Sequence, residues 1–299
     1  MKILAPVDGS KFSKAAIGFL AARTTLIGAQ PDVYLLNVQA PIPPRAARAA
    51  GKDIVQAYYE EEAESALRPA AAQLKRAGIT AHTKWIIGHA GEKIAAAAVR
   101  GEFDLIVMGS HGHGPVAQLL LGSTARQVLA GCTTPLLLLR EESASTADAL
   151  AVGIAVDGSR YGKQAAAYVV AHRQLFGAGA RFSLINVVPD FYPNVVPDIS
   201  GVTIPTFTEE QIATMQQASF EAAIAPIRKL LARAKIEAEE VRLVGHPGEE
   251  IAAYAKKKKL DLLVLGSHGY GAFKAVVMGS VAMRVAAHCK TPLLLVREA

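Results

Sequence analysis

Short, unbroken apolar runs alternate along this chain with longer stretches whose apolar residues recur at helical spacing. Ile3–Val7, Val33–Val38, Leu105–Met108 and Leu136–Leu139 are continuous runs, and Thr80–Ile87 alternates in part. Between them, 11–27, 54–77, 92–99 and 123–130 carry the helical period, the second with an acidic run from Glu60 to Glu64. The Pro-rich segment APIPPRAARAAGKD after the second run is expected to be a loop. Strands alternating with helices imply right-handed βαβ crossovers and a parallel sheet. Strands without polar alternation imply helices on both faces of that sheet.

The same order of elements occurs twice. KILAPVDGS (2–10) returns as VGIAVDGS (152–159), and VYLLNV (33–38) as FSLINV (182–187). GHAGEKIAAAA (88–98) returns as GHPGEEIAAYA (245–255), and TTPLLLLRE (133–141) as KTPLLLVRE (290–298). A repeat of this length is a whole domain, since solenoid units run to about 20–50 residues. The chain of 299 residues is therefore expected to hold domains at 1–143 and 149–299, joined through the small, polar SASTADA. The second repeat has a longer loop after its second strand, Pro189–Phe207, rich in proline and apolar residues. Such a loop is expected to pack as a lid or an interdomain wall.

Composition narrows the class. Hydrophobic residues make up 51% and charged residues 19%, enough apolar material for two cores. No apolar stretch approaches the roughly 18 residues of a membrane span. The N-terminus lacks the form of a signal peptide. The two cysteines, Cys132 and Cys289, hold equivalent places and are expected to be buried thiols in a reducing cytoplasm. Net charge is +6. The run Lys256–Lys259 suits a helix C-terminus, and no interleaved aromatics or recognition helix point to nucleic acid.

The chemistry is concentrated in GSHGHGPVAQLLLGS (109–123) and its counterpart GSHGYGAFKAVVMGS (266–280). Each follows a strand and precedes a helix. Glycines there let an anion approach main-chain N–H groups, and a helix N-terminus adds positive potential. Asp8 and Asp157 end the first strand of each repeat, where a carboxylate suits a ribose hydroxyl. Ser123 and Ser280 open the following helix, where a hydroxyl suits a phosphate oxygen. A β-branched residue at Gly122 or Gly279 is expected to fill the phosphate volume and to restrict a backbone that calls for positive φ. The pattern is neither a P-loop, since GxxxxGK[ST] is absent, nor the GxGxxG fingerprint. Ligands of doubly wound sheets lie beyond the carboxyl ends of the strands, where strand order reverses.

The DGS turn and the G-x2-G-x9-G-[ST] loop together resemble the universal stress protein family in its tandem form, over essentially the whole chain. The resemblance implies two α/β doubly wound, adenine nucleotide alpha hydrolase-like domains. Each would have a five-stranded parallel sheet of order 3-2-1-4-5 flanked by helices. It implies ATP, ADP or AMP as ligand, with magnesium. Val7, Asp8 and Val38 would meet adenine and ribose, and Gly109, Gly112, Gly122, Ser123 and Thr124 would hold ribose and phosphates. The second site would use Val156, Asp157, Val187, Gly266, Gly269, Gly279, Ser280 and Val281. Arg284 stands where the family often has a basic residue, and Gln127 replaces it in the first repeat. The resemblance also implies an intramolecular pair of the two halves through their fifth strands, and leaves a homodimer open. Burying TPLLLL against TPLLLV would cover two apolar edges.

His111, His113 and His268 fall in the glycine loops, and His89 and His246 in the GHxGE turns. Tyr270 replaces the second loop histidine, and no Cys/His quartet has zinc spacing. No nucleophile elbow is present either. Three functions remain: a cytoplasmic nucleotide-binding stress or signalling protein, a slow ATPase, or a module for a small or lipid-like ligand. The glycine loops favour the first two. The lack of a P-loop lysine or an assignable base favours the first.

Overall fold

The computed structural model describes residues 1–110, 121–140, 147–190, 207–267 and 278–297. In the first repeat β1 (Lys2–Pro6), β2 (Asp32–Gln39), β3 (Ala81–Ile87), β4 (Leu105–Gly109) and β5 (Leu136–Leu139) are the strands. The helices among them are α1 (Lys11–Ala21), α2 (Thr24–Gly28), α3 (Pro44–Ala50), α4 (Lys52–Arg76), α5 (Ala90–Arg100) and α6 (Ser123–Gly131). The second repeat holds β6 (Ala151–Ala155), α7 (Arg160–Ala171), β7 (Arg181–Val188), α8 (Glu209–Arg233) and β8 (Ala238–Val244). It continues with α9 (Pro247–Lys257), β9 (Leu262–Gly266), α10 (Ser280–His288) and β10 (Leu293–Val296).

All ten strands form one sheet of order β3-β2-β1-β4-β5-β10-β9-β6-β7-β8. Each half has the order 3-2-1-4-5 and is parallel throughout. The halves meet where β5 pairs antiparallel with β10, Leu137 opposite Leu294. That pairing removes both apolar edges and leaves β3 and β8 as the outer strands. These carry exposed polar residues such as Lys84, Glu239 and Arg242, which discourages edge-to-edge association.

The apolar cores divide by sheet face, whereas composition alone suggested one per repeat. Because side chains alternate along a strand, Ile3, Val107, Leu137, Leu294 and Val264 face one cluster with α1, α4, α7 and α8. Leu4, Ile106, Leu138, Leu293 and Leu265 face the other with α5, α6, α9 and α10. Both clusters run across the junction, so the two repeats share their interior.

Two local expectations change. The helical stretch 11–27 breaks into α1 and α2, with extended backbone at Arg23. Arg23 is fully buried and stacks on the Phe19 ring at 4.3 Å. The Pro-rich loop contains α3, where Pro44 takes the first helical position and arginine and alanine favour the helix. No residue of α3 is buried. Among the described residues, no helix is long and apolar enough to cross a membrane.

Further contacts tie the repeats together on one face. Thr24 donates from both its backbone N–H, at 2.8 Å, and its hydroxyl to Asp148. The Tyr168 hydroxyl donates to the Asp104 carbonyl at 3.1 Å, and the Thr25 hydroxyl to the Gln174 carbonyl at 2.8 Å.

Candidate functional site

The carboxyl ends of β1, β2 and β4 meet at the point where strand order reverses. Val7 donates its N–H to the Leu36 carbonyl at 2.9 Å, which ties the end of β1 to β2. Asp8 follows and is exposed. Its Oδ1 accepts from the Ser10 N–H at 3.0 Å. Gly9 has φ +78 and its counterpart Gly158 φ +82, backbone that disfavours a side chain, so both DGS turns call for glycine. Ser10 then caps α1, its hydroxyl accepting from the Ser13 N–H at 3.2 Å.

The second repeat is built the same way. Val156 donates to the Ile185 carbonyl at 2.9 Å, and Asp157 Oδ1 accepts from the Ser159 N–H at 3.0 Å. Val38 and Val187 are half-buried near the ends of β2 and β7.

Gly109 and Gly266 end β4 and β9 directly against the first turn of α1 and α7. A Cβ on Gly109 would lie 2.5 Å from the Cβ of Phe12, and one on Gly266 2.7 Å from that of Tyr161. These two glycines let a strand end touch a helix start, so the start of each glycine loop lies beside the DGS-capped helix. At the far end of the loop, the Gly122 N–H donates to the Ser110 carbonyl at 2.9 Å, and the Gly279 N–H to the Ser267 carbonyl at 2.6 Å. The N-termini of α6 and α10 are thereby held at the ends of β4 and β9.

Both of those helices have glycine as N-cap and no side-chain cap bond. Gly122 has φ −57 and Gly279 φ −64, ordinary extended backbone rather than the positive φ expected. Their lack of a side chain therefore bears on space, since their conformation is open to other residues. Ser123 and Ser280 are exposed, and Thr124 and Val281 half-buried beside them.

The structure thus brings Val7, Asp8, Val38, Gly109, Gly122, Ser123 and Thr124 to one sheet edge. It does the same for Val156, Asp157, Val187, Gly266, Gly279, Ser280 and Val281. Gly112, Gly269, His111, His113, His268, Tyr270 and the proposed lid within Pro189–Phe207 lie outside the described residues, apart from its ends. Among the described residues, no group of three His, Cys, Asp or Glu could hold a metal ion. Both cysteines are free and buried.

Three features escaped the sequence reading. Arg284 is turned to α9, where it pairs with Glu249 at 2.9 Å. A Cβ on Gly248 would lie 2.6 Å from the Arg284 Cβ, so the GHxGE glycine serves helix packing. Asn37 and Asn186 are buried, and their amides donate to the Val7 and Val156 carbonyls at 2.7 and 2.8 Å. They brace the peptide before each aspartate, and the asparagine inside each LLNV and LINV run was the available signal. Lys11 and Arg160 open α1 and α7 next to the glycine-loop start, at 5.4 and 4.8 Å from the neighbouring Phe12 and Tyr161 rings. The repeated basic–aromatic pair after DGS marked them.

Comparison with known proteins agrees with this architecture. A universal stress protein of Mycolicibacterium smegmatis is 26% identical over 306 aligned positions, covering 99% of this chain and 96% of that protein. A universal stress protein of Thermus aquaticus is 34% identical over 145, covering 48% of this chain and 96% of its own length. Among solved structures, a universal stress protein from Archaeoglobus fulgidus superposes with a TM-score of 0.70 at 19% identity, covering 100% of this chain and 98% of the other. The universal stress protein family matches residues 1–140 and again 151–297. The chain therefore belongs to the universal stress protein family, as a tandem of two family domains.

Proposed function

We propose that each repeat binds an adenine nucleotide, ATP or a close relative, and that the loaded protein acts in cytoplasmic stress signalling. The observation that supports this is the duplicated cradle. Each repeat sets an exposed carboxylate, held by its DGS turn, beside a helix N-terminus that a glycine rather than a side chain caps. Asp8 and Asp157 would accept from ribose hydroxyls, with Val7, Val38, Val156 and Val187 against the base. The first-turn N–H groups of α6 and α10, with Ser123, Thr124 and Ser280, would take the phosphates. Gly109, Gly112, Gly122, Gly266, Gly269 and Gly279 would keep side chains out of that volume, with Val281 packed beside it. Magnesium would offset charge on the phosphate oxygens.

Mass spectrometry of the ligand released from natively purified protein tests the reading. Recovery of an adenine nucleotide, together with a thermal shift on adding ATP and magnesium, supports it. Recovery of a lipid, or no shift at millimolar ATP, overturns it.

A further inference from the structure

Each repeat ends its last strand with an arginine, and each of these arginines reaches into the other repeat. Arg140 follows β5, and its Nη2 donates to the Ala286 carbonyl in the last turn of α10. Arg297 follows β10, and its Nη1 donates to the carbonyls of Leu129, in the last turn of α6, and Cys132, the latter at 2.7 Å. Leu129 and Ala286 hold equivalent places in the two repeats, so the contact is made twice.

Topology explains the exchange. In the antiparallel pair, Leu138 stands opposite Leu293, so the end of β5 lies beside the start of β10. The chain has only just left α10 at that point. A side chain leaving β5 therefore meets the carboxyl end of the other repeat's helix, and the reverse holds for β10.

Both arginines are half-buried. Burial pushes their pKa values below the usual guanidinium range, while the neighbouring cysteine of the other repeat pulls upward. Arginine stays charged at neutral pH even so. The last carbonyls of a helix lack intrahelical donors and carry the negative end of its dipole. A guanidinium satisfies both needs. The helices so capped are the two whose opposite ends carry Ser123 and Ser280; each is nine residues long, or about 13 Å along the axis.

We propose that Arg140 and Arg297 are reciprocal positioning residues: each repeat's arginine sets the phosphate-facing helix of the other repeat and couples the two sites. The ligand named here rests on the nucleotide reading; the crossed seating of the helices does not. In consequence, neither site is complete without the other half of the chain.

Peptide-resolved hydrogen–deuterium exchange on the full chain, with and without ATP, tests it. Without ATP, Arg297→Gln should speed exchange in 123–131 and leave 280–288 unchanged, and Arg140→Gln should do the reverse. With ATP, the concentration that half-protects the crossed helix should rise about tenfold, within the range usual for coupled sites. Arg297→Lys should recover part of the loss, since it keeps the charge without the fork that spans two carbonyls. Equal loosening of both helices by either variant, or an effect confined to the arginine's own repeat, would overturn the proposal. If ATP protects nothing in the unmodified protein, the nucleotide reading fails, while the exchange pattern without ATP still decides the positioning role.

Discussion

Gly109 lies so close to Phe12 that a Cβ on the glycine would sit 2.5 Å from the Phe12 Cβ and 2.9 Å from its backbone carbon. The neighbour is the first turn of α1, which cannot yield as a flexible side chain would. Gly109→Ala is therefore expected to destabilise the protein by about 1–3 kcal/mol, as overpacking does. Gly266→Ala should behave alike, because its Cβ would meet the Tyr161 backbone carbon and oxygen at 2.8 Å. Thermal melts of both variants check this, and an unchanged midpoint would show that strand end and helix are less tightly joined.

Gly122 and Gly279 should respond differently, since their backbones already hold φ values of −57 and −64 that other residues adopt. Gly122→Val should stay folded, losing about 1 kcal/mol or less for the altered cap, with its circular dichroism spectrum retained. A collapse of the spectrum would mean that packing, rather than open space, demands these glycines.

Acid should loosen the junction between repeats in two steps. Burial holds the His172 imidazole below its ordinary range; Asp104 opposes that shift, and the N-terminal amine adds to it. The Tyr168 ring packs beside it at 4.3 Å between centroids. The folded state then binds fewer protons than the unfolded chain, so stability falls as pH drops below about 6.5 and levels off beneath the lowered folded value. His172→Gln should remove this step from melting temperatures measured between neutral pH and mild acid.

The second step belongs to Asp148. Hydrogen bonds from the Thr24 side chain and backbone hold its carboxyl below the usual range, burial opposes them, and the Arg23 charge adds to them. Its contribution is present above the ordinary aspartate pKa of about 4 and is lost as pH falls through the lowered folded value. Thr24→Val should flatten the melting curve in that acid window alone. A variant as acid-sensitive as the parent would assign the window to other carboxylates.

How much of this was legible in the sequence depends on how local the cause is. Continuous runs such as Leu136–Leu139 named their strands, because burial on both sheet faces leaves no polar position. The pairing of TPLLLL with TPLLLV came from the family resemblance, supported by the need to cover two apolar strand edges. Asp8 and Gly109 could be placed at the carboxyl end of one sheet only through the strand order that the family resemblance implied. Arg23 could not be read. It breaks a helix by burying a guanidinium on Phe19, and Asp148 of the linker and Asp261 of the other repeat favour its charge. Arg284 could be named from the sequence but its partner could not, because the pairing with Glu249 depends on how α9 packs against α10. The reach of Arg297 across the junction depends on strand antiparallelism, which no periodicity within one repeat encodes.

Calorimetric titration of ATP with magnesium into the intact chain, and into Gly122→Val, Gly279→Val and the double variant, bears most directly on the paired sites. Two nucleotides per chain at micromolar-class affinity are expected for the parent, one for each single variant and none for the double variant while it remains folded. No heat at millimolar ATP in the parent, or a stoichiometry that neither glycine substitution changes, would contradict a nucleotide site in each repeat.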